Sequence, residues 1–449
     1  MTKSVTTLYK FFNIAPMREQ RWVRIIPVAL IMYTISYVDR TNVSLALDPT
    51  ISSMMTDLVM DDKLKGLAVG IFFWGYLLLQ LPGGYLASHW SARKVISIFL
   101  IAWGICAAGS GLVKTFWQFE AARFLLGLAE SGVFPATTVL LANWFPRAER
   151  ARANGYWNLS QPLAVVASAP LTTSLLKHFG WQRTMMLEGA LPFIWLPIWW
   201  FCIRDHPREA KWISREEREY LEQTLEREAA SLEPSEGTPL LSRLVNPSLL
   251  VMTLIYFLHN CAAYGCMAFF TSTLKGRGFS KDQYGTLLAI PYAVTAVIMI
   301  LNSWHSDKTR ERRGHVAAVY TLSGASLILS VLLREHFWVS YVLMCLAIPG
   351  PFAAIAPFWA VASETMSRAA LGLAVGIVNA FGNLGGFAGP FVAGWLSKEY
   401  GNTAVSFTAL GVGMIVAAGL AFLLPKAALI SQAATNAIPP PEPAGKSTN

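Results

Sequence analysis

The chain has 449 residues, 54% of them apolar, 12% aromatic and only 14% charged, against roughly 25% charged in an ordinary soluble domain. Ten of the 27 acids and seven of the 36 bases lie between residues 204 and 245, so the remainder of the chain belongs mostly in lipid. This excludes a disordered chain, a disulfide-stapled secreted domain and a conventional soluble enzyme.

A helix needs about 20 apolar residues to cross the hydrocarbon core, because without water every backbone amide must be bonded within its own segment. Twelve such runs can be marked, near 25–47, 66–87, 94–113, 116–141, 153–176, 185–203, 248–271, 283–303, 315–333, 337–360, 370–396 and 402–425. The first follows a basic stretch and carries Asp39 and Arg40, which a cleaved signal peptide would not, so it reads as a retained helix. Between the sixth and seventh runs lies the one extended polar insert, with a helix-start signal at Ser214-Arg-Glu-Glu. The expected organisation is a segment 1–24, a six-helix half 25–203, a central loop 204–247 with an amphipathic helix, a second six-helix half 248–425 and a disordered tail 426–449.

Twelve spans put both termini on one side. Lys and Arg number 24 on that side and 10 on the other, or 17 to 10 without the central insert. The positive-inside rule then places the termini in the cytoplasm of a multi-pass inner-membrane protein. The net charge of +9 reports topology, and no nucleic-acid partner is expected. The five cysteines fall inside apolar runs without CxxC spacing, so neither a disulfide framework nor a metal site is implied. No GxxxxGK[ST] motif occurs, and no cofactor is expected. Scattered His and Cys give no nucleophile–base pair, which argues against a membrane enzyme.

The two halves echo each other. The loop Gly84-Tyr-Leu-Ala-Ser-His-Trp-Ser-Ala-Arg-Lys94 has a counterpart six spans on in Trp304-His-Ser-Asp-Lys-Thr-Arg-Glu-Arg-Arg313. Duplicated bundles with a site at their interface suit transport, since one half can rock against the other. On these residues the chain resembles the major facilitator superfamily: its loop motif Gly-x-x-x-Asp-Arg-x-Gly-x-Arg-Arg is matched at Gly84, Arg93 and Lys94 and departed from at Ser88, His89 and Ser91. The runs Tyr37-Val-Asp-Arg40, Arg123-Phe-Leu-Leu-Gly-Leu-Ala-Glu-Ser-Gly-Val-Phe-Pro135, Trp144-Phe-Pro-Arg-Ala-Glu-Arg150 and Asn379-Ala-Phe-Gly-Asn-Leu-Gly-Gly-Phe-Ala-Gly-Pro390 are similar to the anion:cation symporters of that superfamily. The resemblance implies an all-α membrane protein with 12 transmembrane helices in two pseudo-symmetric six-helix halves. It also implies a latch between the halves, weakened in the first repeat by the loss of the motif acid and kept by Asp307 in the second, with Arg93 as its basic member.

A charge at the bilayer centre costs about 2.5–3.5 kcal/mol even on insertion scales, so it survives where it faces a cavity or a partner. Asp39, Arg40, Arg123 and Glu130 are such charges. Arg123 and Glu130 share one helix face about 10.5 Å apart along the axis, too far to pair. Asp39 and Arg40 point about 100° apart and need separate partners. An arginine grips a carboxylate with two parallel hydrogen bonds. Low dielectric disfavours a carboxylate's charge, so Asp39 or Glu130 can take up a proton and release it on the other side. An anion moving inward works against the membrane potential by about 2.3 kcal/mol per charge per 100 mV, which favours co-transport of protons. The alternative is a buried salt network with Asp39 and Arg123 as its cross-helix pair.

The resemblance implies the same roles: Asp39 and Glu130 for proton coupling, Arg40 for substrate, Arg123 for coupling or gating. It places Tyr37, Tyr76, Gln161, Trp359 and Asn379 as substrate contacts, with Asn383 competing with Asn379. Glu188, near the outer end of the sixth run, reads as structural, and His259 either relays protons or sits at a helix interface. The expected function is proton-coupled symport of a small organic anion of the tartrate or galactonate type by a monomer in the lipid bilayer. The rivals are an anion exchanger, an aromatic-acid carrier of the same fold and a non-transporting sensor.

Overall fold

The computed structural model describes residues 20–230, 247–274, 279, 281–365 and 368–425; most of the segment 1–24, part of the central loop and the tail 426–449 lie outside the described residues. Among the described residues all regular structure is helical. Ten stretches are long and apolar enough to cross a membrane. One of them, Arg152–Cys202, has 51 residues and as a single helix would reach about 76 Å, more than twice the bilayer core. It turns at Gly180, whose φ of 73° is left-handed and suits a residue without Cβ. The fifth and sixth expected runs lie on its two sides.

The second expected run is built from three short helices, Asp62–Gly70, Phe72–Leu78 and Gln80–Leu86, so it does not register as one long span. The tenth registers as one stretch, Phe337–Val361, but its helix is interrupted between Phe337–Ala347, Pro349–Ala353 and Ile355–Thr365 at its Pro-rich centre, because proline cannot donate the i→i−4 bond. Local chemistry sets several starts. Pro27 stands in the first turn of Ile26–Ala46, where its missing N–H costs nothing. Asp61 accepts from the Leu64 amide at 2.8 Å and Thr115 from the Gln118 amide at 3.3 Å, capping Asp62–Gly70 and Phe116–Glu130. The expected polar helix is present as Arg215–Ala230.

At the end that carries Gln20, the buried Arg21 reaches Glu149 at 2.7 Å and Glu217 at 2.6 Å, and Trp144 stacks on Trp212 at 5.1 Å. The helix Gln20–Arg24, the connection after the fourth run and the central segment therefore share one end of the bundle. At the opposite end, helices before the central segment interlock with helices after it. Added Cβ atoms at Gly66 and Gly394 would come within 2.3 Å of the Pro390 carbonyl oxygen and 2.4 Å of the Asp62 carbonyl oxygen, so glycine is what lets these backbones touch. Ser397 donates to Asp62 at 2.8 Å, and Lys398 pairs with Asp61 at 2.8 Å. Gly285 abuts Ala169 and Thr173 in the same way.

Candidate substrate and proton site

A cavity of about 20 Å³ lies inside the bundle, lined by Tyr33, Tyr37, Arg40, Tyr76 and Gln161 from before the central segment and by Tyr256, His259, Asn260, Tyr264, Asn379 and Asn383 from after it. A space of that size holds about one water molecule. In this conformation an organic anion fits only after the walls separate.

Arg40 is the charged group at this cavity. One guanidinium nitrogen, Nη1, donates to the Tyr264 hydroxyl at 2.8 Å, and the other, Nη2, lies 3.4 Å from Oε2 of Glu130. The guanidinium also sits 4.8–5.0 Å from the ring centres of Tyr37, Phe72 and Tyr76, a cage that favours a desolvated cation. Glu130 accepts from the Ser36 hydroxyl at 2.7 Å. Arg40 Nε and Glu130 Oε1 are among the buried side-chain atoms of the described residues with no hydrogen-bond partner. A buried orphan of either kind costs about 1–3 kcal/mol, so the pair is only partly satisfied.

The other two intramembrane charges lie behind this wall. Arg123 donates to the backbone carbonyls of Ala68 at 3.4 Å and Asp39 at 3.3 Å, and its guanidinium packs 5.1 Å from the Phe72 ring centre. Phe72 thus stands between Arg40 and Arg123. The cross-helix carboxylate pair of Asp39 with Arg123 is replaced by this backbone contact. The Asp39 carboxylate accepts from Trp103 Nε1 and from Asn42 at 3.3 Å. Arg123 and Glu130 do not meet, as their spacing requires.

Among the neutral candidates, Tyr37 donates to Gln161 at 3.1 Å and lies 2.9 Å from the Tyr264 hydroxyl. Asn379 donates to Gln80 at 2.7 Å and accepts from Asn383 at 3.2 Å, so both asparagines lie at the cavity. Trp359 is absent from its lining: it packs edge-on against Tyr256 at 5.4 Å, one ring further out. His259 is at the wall, with Nδ1 3.2 Å from the Tyr320 hydroxyl. Tyr264 and Ser36, which hold Arg40 and Glu130, escaped the sequence reading. Tyr264 is 224 residues from Arg40, and no spacing rule reaches that far. Ser36 is one helical turn before Arg40 and was within reach of the helical period.

Arg93 and Asp307, the expected latch, each make their contacts within their own half of the chain. The Arg93 amide donates to Asp205 at 2.9 Å and Ser91 donates to the same carboxylate at 2.5 Å, while the Arg93 guanidinium lies 4.0 Å from the Trp200 ring centre. Asp307 pairs with Arg312 at 2.6 Å. The motif acid is replaced by Ser88, so Asp205 supplies the carboxylate at the start of Ala92–Gly109.

Residues 29–390 match the family model described as Major Facilitator Superfamily. The chain belongs to that superfamily. It is therefore a membrane transporter of the superfamily's kind rather than an enzyme. A protein of Agrobacterium vitis named "Putative tartrate transporter" is 30% identical over 411 residues, 90% of this chain and 94% of the relative. The "Quinolone resistance transporter" of Acinetobacter baumannii is 29% identical over 419 residues, 89% of this chain and 93% of the relative. Among solved structures, a bacterial homolog of the human lysosomal transporter Spinster, inward-facing and unoccupied, superposes with a TM-score of 0.68 at 17% identity, covering 91% of this chain and 97% of that one. This superfamily member shares its fold with that transporter.

Proposed function

We propose that the protein is a secondary transporter that carries a small organic anion, a hydroxy acid or sugar acid of the tartrate or galactonate type, into the cell together with protons. The half-satisfied pair Arg40–Glu130 carries this reading. While Glu130 is ionised it competes for Arg40. When a proton from the aqueous side settles on a Glu130 oxygen, the guanidinium is free to take the substrate carboxylate through Nε and Nη2. Hydroxyl and amide groups of Tyr37, Gln161, Asn379 and Asn383 then meet the hydroxyls of the guest, and Tyr76 walls the chamber. Asp39 acts as a second proton carrier, with Arg123 behind it as a coupling group.

Alternating access follows from the two six-helix halves, 25–203 and 248–425, rocking about this chamber, with glycine contacts such as Gly66 to Pro390 closing one end. Arg93 and Asp307 regain a latching role when the opposite end closes. The 24-to-10 distribution of Lys and Arg supports cytoplasmic termini in the inner membrane. A relative named for tartrate supports the hydroxy-acid class. A second reading, an aromatic-acid carrier, is favoured by the five tyrosines at the cavity wall.

Purified protein in proteoliposomes tests the assignment. With an inward proton gradient, labelled tartrate, galactonate and an aromatic acid are offered in turn. One of the first two is expected to accumulate, and Arg40→Gln is expected to abolish that uptake. Uptake unchanged in Arg40→Gln would remove Arg40 from the site.

A further inference from the structure

We infer that Glu188 is a third proton-carrying carboxyl of the transport cycle, joined to Asp39 through the side chain of Asn42. The inference rests on the symport reading above and extends it to a group outside the cavity.

Glu188 lies on Ser160–Gly189 and is 3% exposed. Its two oxygens accept from neutral donors: Oε1 from the Thr172 hydroxyl at 2.5 Å and Oε2 from Asn42 Nδ2 at 3.0 Å. The same Asn42 nitrogen lies 3.3 Å from Oδ1 of Asp39. Two buried acids on different helices therefore share one amide, close enough for a proton on one to lower the energy of a charge on the other.

The amide suits that exchange. With both acids ionised, its two N–H groups serve one carboxylate each. With a proton on the far oxygen of either acid, the carbonyl oxygen that faces Asn42 still accepts from it, while the same NH2 group donates to the other carboxylate. Asn42 is thus a positioning residue, and the acid pair keeps its hydrogen bonds with or without the extra proton. A structural salt bridge would need a basic partner at Glu188, and the groups bonded to it are a hydroxyl and an amide.

The surrounding charges make a proton useful there. Ile26–Ala46 brings Asp39 and Arg40, and Phe116–Glu130 brings Arg123 and Glu130. Ala92–Gly109 contributes the neutral Trp103, and Lys281–Thr309 meets the helix at Gly285. Arg183, on the same helix as Glu188, is exposed. Four buried carboxyls, Asp39, Glu120, Glu130 and Glu188, thus stand against two buried guanidinia, Arg40 and Arg123, so bound protons offset the excess of negative charge. Glu188 is also nearer the end opposite Arg21. Two turns earlier, Trp181 donates to Asp57 in the connection at that end at 2.7 Å. A proton taken up at Glu188 reaches Asp39 from behind, without crossing the space the anion needs.

The test uses the full chain in proteoliposomes, with tartrate as probe, and pH-difference infrared spectra of the same samples. Glu188→Gln is expected to remove one pH-sensitive C=O band of a protonated carboxyl and to cut proton-driven tartrate accumulation at least about fivefold, with an unchanged melting temperature. Spectra that superimpose on wild type overturn the inference even if accumulation falls, since that combination marks a structural residue. If wild-type protein does not accumulate tartrate on a proton gradient, the symport reading fails for this probe, and the infrared comparison still decides Glu188. If Glu188→Gln does not fold, Thr172→Val removes a donor and keeps the carboxyl. The midpoint of the band should then move with pH, and an unmoved midpoint overturns the inference.

Discussion

Arg40 and Glu130 meet at 3.4 Å between Nη2 and Oε2, across two helices and away from solvent. Charge-assisted pairs of this kind typically close to about 2.7–2.9 Å. The wider spacing and the orphaned Nε and Oε1 atoms describe a pair that holds the helices together without exhausting either partner. A carboxylate from outside can therefore compete for Arg40.

If Glu130 is the proton carrier, Glu130→Gln fixes its neutral form. Accumulation of the transported acid on a proton gradient should be lost, while exchange of labelled for unlabelled acid continues. Flux measurements in the two modes check this. Accumulation that persists in the variant would remove Glu130 from proton coupling and leave it to Asp39 and Glu188.

Removing one member of a buried ion pair strands the other and costs about 3–5 kcal/mol, whereas removing both often costs far less. Arg40→Met and Glu130→Gln should each lower the melting temperature, and the double variant should recover part of the loss. Losses that simply add in the double variant would mean that the 3.4 Å contact carries no coupling.

The end opposite Arg21 closes through glycine. A valine at Gly66 would drive its Cβ into the Pro390 carbonyl, 2.3 Å from the ideal position. Overpacking of this kind costs about 1–3 kcal/mol and should shift the population toward separation at that end. Spin labels at the exposed Thr56 and Glu399 should move apart in Gly66→Val. An unchanged distance would show that this contact does not set the closure.

Asp61 bridges the same end but should not sense protons near neutrality. Partial burial pushes its carboxyl up, yet the Lys398 ammonium and the Leu64 amide outweigh that and hold it below its ordinary value. A depressed acid contributes its full stabilisation above the ordinary value of about 3.9 and loses it only as the pH falls through the lower folded value. Whatever pH dependence the same label distance shows between about pH 5 and 8 should therefore persist in Asp61→Asn. Its loss in that variant would give Asp61 the sensing role.

The sequence made much of this legible because the bilayer imposes one strong constraint. Any charge within an apolar run is a candidate, and Asp39, Arg40, Arg123 and Glu130 were found for that reason. Helical spacing correctly kept Arg123 from Glu130 and Asp39 from Arg40. It could not choose partners across helices, so the Asp39–Arg123 pair gave way to a carbonyl contact, and the hydroxyl of Tyr264 went unseen. Trp359 was expected at the substrate and stands one ring behind it, because a helix face fixes direction and not depth. Glu188 reads as structural from its place near the outer end of the sixth run. The link through Asn42, one turn from Asp39 on one side and on another helix from Glu188 on the other, exists only in three dimensions.

Lumenal pH is the most direct reading of the central exchange, a proton on Glu130 for a carboxylate on Arg40. Proteoliposomes holding a pH dye are given the transported acid outside with no imposed gradient. Wild-type protein should acidify the lumen as the acid enters, and Glu130→Gln should not. Uptake by wild-type protein with no change in lumenal pH would contradict proton coupling outright.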